Sequence, residues 1–324
     1  MMIKFFKYMF FLGMFISCRT TSNESIKKTG ESPNVIIIFT DDQGYGDLSS
    51  YGSKTIKTPH IDALGAGGAT LTDFLVASST CSPSRAALLT GSYPIRTGVT
   101  GVLWPEEGGG FGGPNKGLVG MHPNEITIAE LLKQKNYTTA MAGKWHLGSK
   151  IPFMPTYQGF DSYFGIPYSN DMNREKLPLI LDEEIIEIKP DQSLLTQRYT
   201  DFAMDFIENK TEQEPFFVYI AYTMPHIPIF ASENFKGKSK ASVYGDVIEE
   251  IDHNVGRLVT KLKEINQFEN TIIIFTSDNG GLLGPTNNYP LRSGKGYAYE
   301  GGIRVPFLIK WPGTVQPGTI QTTP

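Results

Sequence analysis

The run Val35-Ile36-Ile37-Ile38-Phe39, ending in Thr40-Asp41-Asp42-Gln43-Gly44-Tyr45-Gly46-Asp47, constrains the fold more than any other stretch of the chain. An apolar, β-branched run without alternation suits a strand buried on both faces, the environment of a parallel sheet covered by helices. Runs of the same type occupy 215–222, 271–275 and 305–311, with a weaker one at 137–142. Helical periodicity lies between them at 126–134, 195–207 and 243–265. In the last, Val243, Val247, Ile251, Val255, Leu258, Leu262 and Ile265 form one stripe, with Glu249, Glu250, Lys261 and Lys263 off it. Alternating strands and helices predict an α/β fold with a mostly parallel central sheet sandwiched by helices. Glu183–Lys189 after Leu177–Leu181 reads as a small hairpin strand, and no solenoid or propeller repeat is present.

In such sheets the site lies beyond the carboxyl ends of the strands. Asp41 and Asp42 follow the first run, Gly143-Lys144-Trp145-His146 the weak one, Met224-Pro225-His226 the run at 215–222, and Ser277-Asp278-Asn279-Gly280 the run at 271–275. One such cluster would read as a turn or cap; four bring polar groups to a single rim. Asp41, Asp42, Asp278 and Asn279 offer hard oxygen ligands, which suit calcium or magnesium rather than zinc, and their number favours calcium. Arg85, Lys144 and Lys295 add fixed positive charge, and His146 and His226 can handle protons. His60, His122 and His253 read as structural.

Cys81-Ser82-Pro83-Ser84-Arg85-Ala86-Ala87-Leu88-Leu89-Thr90-Gly91 reads as a cysteine at a helix N-terminus, with Pro83 in the first turn. Backbone N–H groups there favour an anion, and Arg85 reinforces the preference. Glu107–Gly120 reads as a glycine-rich loop, either a substrate-facing lid or plain surface, without nucleotide-binding spacing.

The net charge of −4, without basic runs, gives no sign of a nucleic-acid partner. Lys4, Lys7 and the apolar stretch Phe5–Ile16 predict a signal peptide over 1–18, followed by a polar linker over 19–32 and a catalytic domain over 33–324. Cys18 resembles the lipid-attachment cysteine of a bacterial lipoprotein, the membrane contact expected of this chain. The expectation is export, to the periplasm, as a membrane-anchored lipoprotein, or by secretion. Cys18 and Cys81 are the two cysteines, so loss or acylation of Cys18 leaves Cys81 without a disulfide partner in its own chain. An exported solitary thiol is prone to oxidation, and conversion to an aldehyde would explain it.

From Asn34 onward the chain resembles the type I sulfatases of the alkaline phosphatase superfamily, close in pattern to the arylsulfatase A group. The resemblance rests on Asp41-Asp42-Gln43-Gly44, Cys81–Gly91, Gly143–Gly148, Gly165–Ser169, Pro225-His226, Asp278-Asn279-Gly280, and Gly294-Lys295-Gly296 leading to Glu300–Arg304, in the family's order. It implies a formylglycine (3-oxoalanine) formed from Cys81 by a maturating enzyme. The implied metal ligands are Asp41, Asp42, Asp278, Asn279 and the modified Cys81. Arg85 and His146 would hold the aldehyde's diol; Lys144, Ser169 and Lys295 would contact sulfate. His226 would assist the leaving oxygen, and Asp278 would act as base. One diol hydroxyl would attack sulfur and the second would expel sulfate, which a serine could not do. Glu300-Gly301-Gly302 would shape the segment holding Lys295.

The expected export, with a lipid anchor possible at Cys18, and the absence of a long hydrophobic insert point to a sulfated carbohydrate as substrate, with an aryl sulfate or sulfolipid head group as alternatives. Two other readings are a phosphodiesterase or phosphonate hydrolase of the same superfamily, and a non-catalytic binding protein with an unmodified Cys81. Members of the family usually carry a second, smaller antiparallel subdomain. The sequence stops at Pro324, so the expectation is either a fragment of a longer protein or loss of that subdomain.

Overall fold

The computed structural model describes residues 32–105, 119–211 and 213–324. The expected leader, Cys18, nearly all of the linker, and most of the glycine-rich segment lie outside the described residues.

Among the described residues, ten strands form one sheet: β1 (Asn34–Thr40), β2 (Ala69–Leu71), β3 (Thr138–Lys144), β4 (Ser162–Ile166), β5 (Pro178–Leu181), β6 (Glu184–Ile188), β7 (Phe216–Ala221), β8 (Thr271–Ser277), β9 (Phe307–Lys310) and β10 (Thr319–Gln321). Their order is β10-β2-β9-β8-β1-β7-β3-β4-β5-β6. The central block β8-β1-β7-β3-β4 is parallel throughout, which brings the carboxyl ends of these strands to one rim. The helices are α1 (Pro59–Ala66), α2 (Cys81–Thr90), α3 (Pro94–Thr97), α4 (Ile128–Lys133), α5 (Leu195–Glu208), α6 (Ser242–Glu264) and α7 (Glu300–Ile303).

Adjacent residues of each central strand serve opposite cores, as the two-residue period requires. Ile36, Ile38, Val218 and Ile220 face α5 and α6, while Ile37, Phe39, Phe217 and Tyr219 face Ala86 and Leu89 of α2 and Ala129 of α4. The unbroken apolar runs are thus explained by helices on both faces. The stripe on α6 is core packing from Val247 to Leu262, where Val247, Ile251, Val255, Leu258 and Leu262 are all buried, but Val243 at its start is exposed and Ile265 at its end only partly covered. The expected hairpin is present as the antiparallel pair β5–β6.

The run at 305–311 departs from expectation, because it forms β9 antiparallel to β8 rather than another parallel strand. A parallel partner would need a crossover back to the far end of the sheet. The segment from Asp278 to Pro306 instead remains at the rim, where its side chains enter the site, so the chain re-enters the sheet from that end.

Close backbone approach fixes β3 against its neighbours. Gly143 has φ +110°, and a Cβ there would lie 1.9 Å from the Ala221 carbonyl oxygen. Gly143→Ala is therefore expected to destabilise the protein by about 3 kcal/mol. The measurement is the shift of the urea unfolding midpoint; a midpoint equal to that of the parent would refute the assignment.

Candidate active site

Four parallel strands end in the groups that build the site. Asp41 and Asp42 leave β1, and Asp42 turns with φ +64°, so the two carboxylates enter one buried space. Lys144 ends β3, and the ladder continues past it, with Trp145 N–H donating to Ile166 O and His146 N–H to Pro167 O. His146 then adopts φ +62°. His226 follows β7, and Asp278 and Asn279 follow β8. Non-glycine residues held in this left-handed region require support from their surroundings, and here two of them are site residues.

Cys81 is the first residue of α2 and is buried. Its Sγ lies 3.4 Å from Asp41 Oδ1 and 3.9 Å from Asp42 Oδ1. Burial pushes the thiol well above its ordinary pKa, outweighing Lys144 and Lys295. The unmodified residue is thus a neutral thiol at neutral pH, and a poor nucleophile.

Arg85 lies four residues on, one helical turn away. Its Nε and Nη2 donate to Asp278 Oδ2 at 3.1 and 2.8 Å, and its Nη1 to the Lys144 carbonyl at 2.8 Å. One side chain thereby ties α2 to the ends of β8 and β3. Asp278 Oδ1 accepts Asp42 N–H at 3.1 Å. Burial, followed by the Asp41 carboxylate, pushes Asp278 up to about 7 despite Arg85.

Lys144 Nζ donates to Asp41 Oδ2 at 2.5 Å and to Ser169 Oγ at 3.2 Å; Lys295 Nζ donates to Asp42 Oδ2 at 2.7 Å. Burial would raise Asp41, but Lys144, His226 and Arg85 together hold it well below the carboxylate range. The three carboxylates of Asp41, Asp42 and Asp278 thus face three cations, Arg85, Lys144 and Lys295. A divalent cation added to this balanced set would leave net positive charge for an oxyanion.

The histidines are held in defined tautomers. His146 Nε2 lies 2.9 Å from the Leu103 carbonyl, which can only accept, so Nε2 carries the hydrogen and the buried Nδ1 presents a lone pair without a partner. Burial, then Lys144 and Arg85, holds this ring neutral, with its pKa well below the ordinary value. His226 is arranged the opposite way: Nδ1 lies 2.5 Å from the Ile227 carbonyl, leaving Nε2 to face Asp42 Oδ2 at 3.6 Å. Burial lowers its pKa, against the pull of Asp41 and Asp42.

All eleven residues singled out from the sequence converge on this space. Within it, the ligand atoms of Asp41, Asp42, Cys81 and His226 lie within 4.8 Å of one another. His226 therefore stands close enough to share the ligand cluster, a proximity that its expected role in proton transfer did not require. Asp278 and Asn279 adjoin the cluster through Asp42; Asn279 Nδ2 donates to Asp42 Oδ1 at 2.8 Å, and Asn279 Oδ1 is buried without a partner. Two close carboxylates and an unpartnered amide oxygen fit a hard divalent cation.

Two supports were not legible. Leu103 acts through its carbonyl alone, for which an apolar residue type gives no sign. Ser277 Oγ accepts Gln43 N–H at 3.1 Å and donates to Asn279 O at 2.9 Å, bracing the two acidic turns against each other. Glu300-Gly301-Gly302 does pack behind the Lys295 segment: Gly301 N–H donates to Arg292 O, and a Cβ on Gly280 would lie 1.8 Å from Gly301 O.

An open α/β sheet with a buried cation–carboxylate cluster at its strand ends, facing a cysteine at a helix start, defines an α/β protein whose site lies beyond the carboxyl ends of its strands. The chain belongs to the sulfatase family, whose model, described as Sulfatase, matches residues 33–323. It is 39% identical to human arylsulfatase A over 320 residues, covering 88% of this chain and 60% of the relative. It is 37% identical to human N-acetylgalactosamine-6-sulfatase over 319 residues, covering 90% and 59%. The chain thus spans about 60% of the length of these curated relatives. The crystal structure of Ps i-CgsB in complex with k-i-k-neocarrahexaose superposes with a TM-score of 0.77 at 36% identity, covering 91% of this chain and 69% of that one.

Proposed function

We propose that the protein hydrolyses a sulfate ester on a carbohydrate, with Cys81 converted to formylglycine and calcium, or magnesium in its place, at the acidic cluster. The observation that carries this reading is Cys81 Sγ, 3.4 Å from Asp41 Oδ1 inside a buried ring of carboxylates and cations. A buried, protonated thiol is unsuited to attack, whereas a modified residue in the same place is not. The sugar is supported by the sulfatases this chain is similar to, one bearing an amino sugar in its name and another crystallised with a neocarrahexaose.

Asp41, Asp42, Asp278 and Asn279, with residue 81, would hold the metal, and His226 adjoins them. Bound there, the cation supplies positive charge against sulfate oxygens, and formylglycine supplies a hydroxyl nucleophile. Lys144 and Lys295 bind the sulfate through their ammonium groups, with Ser169, whose Oγ lies 3.2 Å from Lys144 Nζ, contacting it beside Lys144. Arg85 fixes the Asp278 carboxylate, the group placed to take a proton from the nucleophile. His146 Nδ1 accepts a hydrogen bond from the group at position 81. His226 donates from Nε2 only as the imidazolium, because Nδ1–H is held by the Ile227 carbonyl; the proton it takes up at Nε2 beside the Asp42 carboxylate passes to the departing oxygen.

His226→Ala should therefore slow poor leaving groups more than good ones, by a further ~10- to 100-fold in kcat. Rates on a series of aryl sulfates of graded phenol acidity test this; an unchanged slope against phenol acidity would remove His226 from the proton path.

The deciding experiment is the mass of the peptide spanning Cys81 in protein from a native host, joined to rates on an aryl sulfate and its phosphate counterpart. A lowered mass with sulfate preferred is expected. Preference for phosphate would favour a phosphoester or phosphonate hydrolase, and an intact cysteine with no turnover would favour a binding protein. Export, with or without a lipid anchor at Cys18, belongs to this reading and rests on the leader sequence.

A further inference from the structure

Of the three cations in the site, Arg85 sits in α2 and Lys144 ends β3, but Lys295 lies in the irregular segment between β8 and α7. A long, flexible side chain on irregular backbone keeps its ammonium 2.7 Å from Asp42 Oδ2 only if that backbone is held. Lys295 N–H donates to the Gly281 carbonyl at 3.0 Å, and the next N–H, of Gly296, donates to Ser79 O at 2.8 Å. Gly281 comes two residues after Asn279, and Ser79 two residues before Cys81. The loop that carries Lys295 is thus tied at one point to the acidic turn after β8 and at another to the entry of α2.

Gly281 is held in turn by a side chain. Asn288 is buried, its Oδ1 accepts Gly281 N–H at 2.9 Å, and its Nδ2 donates to Gly281 O at 2.8 Å. One amide therefore pairs with both backbone groups of a single residue, as a residue on a neighbouring antiparallel strand would. Gly281 O accepts from Asn288 Nδ2 and from Lys295 N–H, so both of its lone pairs are used. The packing is as close as the bonding: a Cβ on Gly294, the residue before Lys295, would lie 2.3 Å from Gly281 O and 2.7 Å from Asn288 Nδ2. Aspartate has the shape of this side chain without the donor, and alanine has neither group.

We propose that Asn288 is a positioning residue for Lys295: by fixing Gly281 from behind, it fixes the ammonium that binds the sulfate. The inference rests on the sulfate-ester reading above and deepens it, from the cation that meets the anion to the amide that places the cation. Without Asn288, Gly281 N–H is left buried and unpaired, and backbone that moves to regain a partner carries the Lys295 N–H with it. A small displacement at the end of that chain of contacts is enough to weaken a charged contact with a bound oxyanion.

The test is a double-mutant cycle on the mature, calcium-loaded chain, with inorganic sulfate as the probe and its affinity read by calorimetric titration, which needs no turnover. Asn288→Ala should weaken sulfate binding by about 10-fold, and Lys295→Gln by a similar factor. In the Lys295→Gln background, Asn288→Ala should change sulfate affinity by less than about 2-fold, while lowering the urea midpoint as much as it does in the parent. An asparagine that served the fold alone would cost the same affinity in both backgrounds. Asn288→Asp, which can still accept Gly281 N–H but cannot donate to its carbonyl, repeats the cycle should the alanine variant not fold; the effect of its added charge alone persists without Lys295 and so drops out of the cycle. Sulfate affinity undiminished by the Asn288 variants, or lost equally in both backgrounds, would overturn the positioning role and leave Lys295 in the site. Lys295→Gln binding sulfate as tightly as the parent would remove Lys295 from the sulfate contact and this inference with it, and a parent chain that binds no sulfate would overturn the sulfate-ester reading as well.

Discussion

Cys81→Ala is expected to lower turnover of an aryl sulfate by ~10⁴-fold or more, the scale of losing a nucleophile whose partners act as a unit with it. The fold should persist, because the Sγ contacts in question are with the Asp41 and Asp42 carboxylates, at 3.4 and 3.9 Å, and not with the surrounding apolar core. Loss of one buried sulfur costs about 1 kcal/mol, read as a small fall in the thermal midpoint. Cys81→Ser sharpens the test: it keeps an oxygen in place but only one, where the implied chemistry uses two hydroxyls on one carbon. Initial rates with either variant within 10-fold of the parent would refute the role.

Asp278→Ala should have the larger effect on stability. Arg85 is fully buried, and Asp278 Oδ2 accepts two of its N–H groups at 3.1 and 2.8 Å. Removing that carboxylate leaves the guanidinium with the Lys144 carbonyl and the more distant Asp41 Oδ1 at 3.4 Å. An uncompensated buried charge of this kind costs about 3–5 kcal/mol. Metal affinity and activity should fall together with stability. Asp278→Asn separates the effects, because its amide oxygen can still accept from Arg85 while the charge is gone. The expected result is partial recovery of the urea midpoint without recovery of calcium binding, measured by calorimetric titration. If Asp278→Ala unfolds at the parent's midpoint, the Arg85–Asp278 pair is not what holds α2 to β8.

Much of the site was legible because the chemistry is written where strands end. An apolar run of five or six residues can be recognised without its neighbours, and the polar residues after it have no other place to go than the rim. Position within the sheet was less accessible. The run at 305–311 has the composition of a parallel strand, yet it pairs antiparallel because the preceding segment stays at the rim to deliver Asp278, Asn279 and Lys295. Strand direction depends on where a connection travels, which local composition does not record.

Residue types and their order determined the α/β class, the helices on both faces, and the ten side chains that meet around Cys81. The tertiary structure decided which of them touch. It placed His226 within the ligand cluster, fixed the opposite tautomers of His146 and His226 through the carbonyls of Leu103 and Ile227, and joined Arg85 to both β3 and β8. These depend on backbone atoms that every residue carries, and on distances between segments remote in the chain. A sequence names its side chains; it does not say which carbonyl will face them.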